Sequence, residues 1–419
     1  MKYTFIPPRL SEPLLRFVFA VYDIALPIKE NVTRFVCEPE DWNRLADLKG
    51  KRAILLCNHP SLTDPPILFG LSRRLKEPFY YVASYDLFVL IPWLGWFINR
   101  LGAFSIQQGG ADRESLKMSQ EILIERHAKL VILPEGEPNF CNERMQKINP
   151  GAIQIGIWAA EKLVRKAEEE GKEMPALPVL PIVIKYRHVG DPRPELTRTL
   201  EEIERALGIV PDVRTGVLER TCHAAKVVLS RIEKEYDLPE PTDGQTVDDR
   251  IERIYGHIEQ RILTVTHSRA PRETERHTRM RALFNLLYDF RDQLADGTTS
   301  DERRRHERRK KTFDGVFADM RRYENFMTIS ADFLTDAPST ERWSEMLYRL
   351  SKEVLGREIR MPRREAIVRI GEPTDIVAHL DAYKKAKRET LLRLTEHFDA
   401  QMRGLLESMR AERTPIEGP

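Results

Sequence analysis

From residue 50 to residue 190, short apolar runs alternate with segments of helical period. The strand candidates are residues 53–57, 79–83, 103–106, 130–133 and 179–185, each an apolar or β-branched run bounded by turn residues. Helical candidates fall between them at 65–75, 85–97, 113–129 and 150–170; the last opens on Asn149-Pro150, a cap followed by proline. Such alternation predicts an α/β core with a largely parallel sheet flanked by helices.

After Tyr186 the pattern changes. Residues 195–356 are charged and helical in period, with breaks at Pro211, at Leu238-Pro239-Glu240-Pro241, at Asp296-Gly297 and at Asp336-Ala337-Pro338, which predicts five or six helices. The run Ala366-Ile367-Val368-Arg369-Ile370, closed by Gly371-Glu372-Pro373, is an isolated strand signal in a helical region. The economical reading returns it to the sheet. Residues 1–191 and 362–375 then form a discontinuous core, 192–361 a large all-helical insertion, and 376–419 a long C-terminal helix.

Two stretches, residues 14–27 and 87–98, are rich in apolar and aromatic residues but shorter than the ~20 residues that span a bilayer. Each reads either as a buried core helix or as a helix lying in a membrane interface. The 67 basic and 65 acidic residues leave a formal net charge of +2, so no global field favours nucleic acid and any charged partner must meet a local patch. The densest such patch is the run Arg303-Arg304-Arg305-His306-Glu307-Arg308-Arg309-Lys310-Lys311, which reads as a solvated helix face or as a site for anionic headgroups or an acidic carrier protein. Cys37, Cys57, Cys141 and Cys222 are dispersed with no metal-type spacing, which fits a reducing cytoplasm.

The candidate chemistry lies at the end of the first strand of that core, in Asn58-His59-Pro60-Ser61-Leu62-Thr63-Asp64. A histidine there can take a proton near neutral pH, and a carboxylate five positions on can hold its tautomer if the chain bends into a helix. Asp64 before Pro65 also reads as a plain helix N-cap. His223, His267, His277 and His306 sit among charged helical residues and read as solvated.

Three further blocks follow in order: Gly102-Ala103-Phe104-Ser105-Ile106, then Leu133-Pro134-Glu135-Gly136, then Val179-Leu180-Pro181-Ile182-Val183-Ile184. With His59 and Asp64 they resemble the glycerolipid acyltransferase superfamily, over residues 50–190 and the strand near 368–373. The resemblance implies that His59 is a general base and Asp64 its orienting carboxylate. It further implies that Glu135 and Gly136 help bind the acyl acceptor, and that Pro181 stands beside the acyl donor. Asn58, Arg100, Gly102 and Lys147 complete the candidate substrate-binding set. Where the family carries phosphate-gripping arginines, this chain has Gln107-Gln108 and Glu137-Pro138; Arg100, Arg113, Arg144 and Lys147 are the nearby substitutes.

The implied reaction is acyl transfer from a thioester to a hydroxyl of a glycerolipid such as lysophosphatidic acid. The donor is acyl-CoA or acyl carrier protein, acting as co-substrate, with no permanently bound cofactor and no metal. The alternatives are a non-phosphorylated acceptor, or a lipid-binding relative without turnover. The implied partners are a lipid acceptor and the inner face of a membrane, met peripherally from the cytoplasm.

Overall fold

The structure, a computed structural model, describes residues 3–107, 112–212, 214–294 and 300–416; of residues 292 and 300–306 the backbone alone is described. The chain folds into two compact units. One comprises residues 3–187 and 364–412, the other the described residues of 188–363 and 413–416.

The first unit is α/β. Its eight strands are β1 (Val32–Cys37), β2 (Ala53–Cys57), β3 (Phe79–Ser84), β4 (Ala103–Ile106), β5 (Lys129–Ile132), β6 (Pro178–His188), β7 (Arg364–Ile370) and the two-residue β8 (Thr374–Asp375). They form one sheet in the order β1-β7-β6-β2-β5-β3-β4, with β8 antiparallel to β6. β4, β3, β5, β2 and β6 are mutually parallel, as are β1 and β7. β7 thus takes its place in the sheet beside β6, although nearly all of the helical unit separates the two in sequence. β1 was not legible in the sequence: most of its residues are only half-buried, and pairing with β7 makes them a strand.

Helices cover both faces: α1 (Glu12–Glu30), α2 (Pro39–Ala46), α3 (Asp64–Leu75), α4 (Tyr85–Val89), α5 (Pro92–Arg100), α6 (Arg113–Ile124) and α7 (Pro150–Glu169). The period of two along β2 divides the core. Ile54 and Leu56 pack toward α7 and the C-terminal helices, whereas Leu55 and Cys57 pack toward α1 and α3. The helix expected over 85–97 is two helices, because Pro92 brings no N–H and starts a new one. The helix expected from 113 ends at Ile124, short of the turn in which His127 takes a positive φ.

α1 is apolar on two faces. Leu15, Tyr22 and Leu26 are buried, whereas Pro13, Phe17, Ala20, Ile24 and Ile28 form an exposed stripe at helical spacing. Phe17, Ile24 and Ile28 are 62%, 67% and 69% exposed.

The second unit holds α8 (Arg193–Leu207), α9 (Val217–Glu235), α10 (Val247–Thr266), α11 (Arg276–Asp292), α12 (Ser300–Phe326) and α13 (Thr340–Leu355). The side chains of Arg303, Arg304, Arg305 and His306 in the basic run lie outside the described residues, as does Gln108. His223 and His267 are exposed. His277 departs from its expected solvation: it is 1% exposed, because it falls on the inward side of α11 with Met280, Phe284 and Leu287.

The C-terminal segment returns to the first unit and carries the expected long helix, which starts at residue 387 and not at 376. A short 3-10 turn leads into α14 (Leu380–Lys385), and α15 (Lys387–Ser408) follows after a break at the extended residue Ala386. Lys384, Lys385, Lys387 and Arg388 crowd this joint, and an unbroken helix would stack Lys384 on Arg388 at i,i+4 spacing.

Candidate active site

β2 ends at Cys57 and the chain turns toward α3 through Asn58–Thr63 at the C-terminal edge of the parallel strands. In open parallel sheets this edge is where ligands are met. Asp64 is the first residue of α3, ahead of Pro65 and Pro66, which the first turn tolerates because its N–H groups have no partners within the helix. The cap position belongs to Thr63, not Asp64. The Asp64 side chain is freed for another task.

That task is the imidazole. His59 Nδ1 lies 2.8 Å from Asp64 Oδ2, which also accepts from Ser61 N at 2.9 Å. Asp64 Oδ1 accepts from the Tyr186 hydroxyl at 2.6 Å. A carboxylate only accepts, so Nδ1 carries the proton and Nε2 is left with its lone pair. Nε2 makes no hydrogen bond among the described residues, and the His59 side chain keeps 10% of its surface exposed while Asp64 has none. Burial pulls the His59 pKa down, but the hydrogen bond to Asp64 and the charges of Asp64, Glu135 and Glu137 outweigh it, so the imidazole titrates above its ordinary value. Burial, reinforced by the neighbouring Asp64 charge, pushes the Tyr186 phenol well up, so it stays a donor.

Glu135 is 0% exposed and ties two loops together. Its Oε1 accepts from His59 N at 2.7 Å, and its Oε2 from Asn139 Nδ2 and Gln146 N, each at 2.7 Å. Burial raises its pKa against these hydrogen bonds. Buried, with both oxygens engaged, Glu135 braces the His59 backbone. Gly136 closes the turn after β5, with its N–H bonded to Leu133 O at 3.0 Å and a φ of +82° that disfavours other residues.

Asn58 is likewise structural. Its Nδ2 donates to Ile184 O at 3.0 Å and its Oδ1 accepts from Ile184 N at 2.7 Å, extending the β2–β6 ladder by one side chain. Pro181 pairs in register with Leu56 inside the sheet, between β2 and β7, and its carbonyl accepts from Gly371 N at 2.8 Å. Arg100 and Gly102 precede β4 and therefore lie at the opposite end of the parallel strands from His59. Arg100 stacks 4.2 Å over the Trp96 ring. At Gly102, φ is +102° and a Cβ would stand 2.6 Å from Phe79 O. Lys147 is exposed in the loop after β5 and makes no hydrogen bond or ion pair among the described residues. Of the nine candidate residues, the structure brings His59, Asp64 and Glu135 into one hydrogen-bonded group.

The sequence reading missed Tyr186 and a second layer behind it. The Arg364 guanidinium sits 4.3 Å over the Tyr186 ring and donates to Thr63 Oγ1 at 2.7 Å, and Thr63 in turn donates to Glu30 Oε2 at 3.1 Å. The signal for Tyr186 was its parity with Leu180, Ile182 and Ile184, which face α3, at the far end of the same run. Among the described residues no three His, Cys, Asp or Glu side chains gather as a metal-binding set.

A deprotonated imidazole nitrogen held by a buried carboxylate, in turn held by a phenol, has the chemistry to take a proton from an alcohol. No curated protein matches the chain. Residues 27–185 match the family model described as Acyltransferase, which takes in β1 to β5, most of β6 and the whole His59 loop. Over this segment the chain is similar to the acyltransferases of the glycerolipid acyltransferase superfamily.

Proposed function

We propose that the protein moves a fatty acyl group from a thioester, acyl-CoA or acyl carrier protein, to a hydroxyl of a membrane glycerolipid such as lysophosphatidic acid. The observation that carries this reading is the His59–Asp64–Tyr186 line. His59 Nε2 removes the acceptor's hydroxyl proton as the oxygen attacks the thioester carbonyl. Asp64 steadies the imidazolium, and the tetrahedral intermediate collapses by expelling the thiolate, which takes the proton back from Nε2. No acyl-enzyme is required.

A peripheral seat on the inner face of a membrane accompanies this reading. The apolar stripe of α1 supports it, as do Leu90, Trp93 and Trp96 around α4 and α5, which are 73%, 66% and 53% exposed. Indole rings and a lengthwise apolar helix face suit the interfacial layer. Among the described residues no helix is long and apolar enough to cross it.

A second reading, an acceptor without phosphate, is favoured by Glu137. Its negative charge acts on His59 at a place where the superfamily carries a phosphate-binding residue. Thiol release from palmitoyl-CoA, measured with lysophosphatidic acid, glycerol 3-phosphate, monoacylglycerol and an alkyl amine, separates the two. Transfer to lysophosphatidic acid supports the first reading; transfer confined to monoacylglycerol or the amine supports the second. Failure with every acceptor, from CoA and carrier-protein thioesters alike, overturns both.

A further inference from the structure

The helical unit holds a half-open cavity of about 290 Å³ between α9, α10, the end of α12 and α13. Its wall is largely hydrocarbon, with Leu229, Ile251, Ile254, Phe326 and Met346 among the contributors. Protein cores pack at the density of organic crystals, and voids larger than a water are few. A recess of this size that helix packing leaves unfilled stands near the lower end of the ~300–1,000 Å³ range of small-molecule sites. Water is a poor filler, because a wall of this kind offers few of the polar partners that ordered water needs.

The charges at the wall are of one sign. No aspartate or glutamate lines the cavity, and its two charged residues are Lys226 and Arg322. Arg322 is already neutralised by Glu235 and Glu353. Lys226 is exposed and forms no ion pair among the described residues. A hydrocarbon lining with one uncommitted ammonium beside it suits a single-chain amphiphile bearing one negative charge. That charge matches a carboxylate better than a phosphomonoester, which carries more.

We propose that this cavity binds one free fatty acid, its chain within the α9–α10–α13 wall and its carboxylate on Lys226. Every residue of the wall lies between 222 and 350, in the unit that does not carry His59. The site therefore stands or falls independently of the acyl-transfer reading.

Calorimetric titration of the full chain with dodecanoate below its micellar concentration tests the proposal, with dodecanol as the uncharged control. The expected result is one dodecanoate per chain. Lys226→Glu should weaken dodecanoate at least tenfold and leave dodecanol unchanged, and Ala225→Trp, which fills the cavity, should abolish both. Should Ala225→Trp fail to fold, alkylation of Cys222 in the unsubstituted chain decides instead. Cys222 lines the cavity, so dodecanoate should slow its reaction while leaving Cys37 unaffected. Absence of binding, binding that survives the substitutions, or alkylation of Cys222 indifferent to dodecanoate overturns the proposal.

Discussion

The Tyr186 hydroxyl donates to Asp64 Oδ1 at 2.6 Å across 122 residues of sequence, while the other oxygen of the same carboxylate holds His59. Imidazole, carboxylate and phenol form one line buried behind the mouth of the sheet. Removing the phenol in Tyr186→Phe leaves one Asp64 oxygen unsatisfied, at a cost of about 1–3 kcal/mol in stability. With less of its charge shared, Asp64 should stabilise the imidazolium more strongly. The rising limb of kcat/KM against pH should therefore move to higher pH, which lowers the rate at any fixed pH on that limb. A pH profile of Tyr186→Phe identical to that of the unsubstituted enzyme would remove Tyr186 from the line.

Glu135 supplies the second constraint on His59, through the backbone. Glu135→Ala strips partners from His59 N, Asn139 Nδ2 and Gln146 N at once. Breaking such a buried network should cost about 3 kcal/mol or more. The account predicts a lowered Tm and a fall in kcat with KM for the acceptor little changed. A variant that raises only KM would instead make Glu135 an acceptor contact.

The outer face of α1 leads to a prediction about membranes. Ile24→Glu with Ile28→Glu places charge on an exposed apolar stripe, so Tm should hold within about 0.5 kcal/mol of stability, as for surface changes generally. Sedimentation with anionic phospholipid vesicles should show binding reduced at least tenfold. Equal binding would mean that this face does not meet lipid.

His277 has the opposite titration behaviour to His59. Neither of its ring nitrogens has a hydrogen-bond partner among the described residues, and burial, with Arg281 adding to it and Glu275 opposing, pulls its pKa down to about 3. Between pH 6.5 and about 3 the unfolded chain takes up a proton that the folded one refuses, so stability falls with pH by up to ~1.4 kcal/mol per unit. His277→Leu should therefore stabilise the protein more at pH 5 than at pH 8 in thermal melts. His59, whose pKa is raised, contributes stability that is present below pH 6.5 and is lost as pH rises through its folded pKa.

The sheet was largely legible because its strands are buried on both faces and read as continuous apolar runs between turn residues, as Ala53–Cys57 does. β1 was not, since most of its residues are only half-buried and its partner β7 lies more than 300 residues away. The pairing of His59 with Asp64 was legible because it is local, requiring only that the chain bend into α3. Tyr186 and Arg364 were not, for they reach the same carboxylate and the same turn by way of sheet order, which spacing along the chain does not encode. The distance of Arg100 from His59 was hidden for a related reason. The arginine is near the second block in sequence, but strand direction carries it to the far end of the sheet.

The most direct test of the central claim is the rate of thiol release from palmitoyl-CoA by His59→Ala, with the accepted acceptor present and folding verified by an unchanged melt. General-base assistance is worth ~10²–10⁴-fold, and the account predicts a loss of at least the lower figure. Turnover within a few-fold of the unsubstituted enzyme would contradict it.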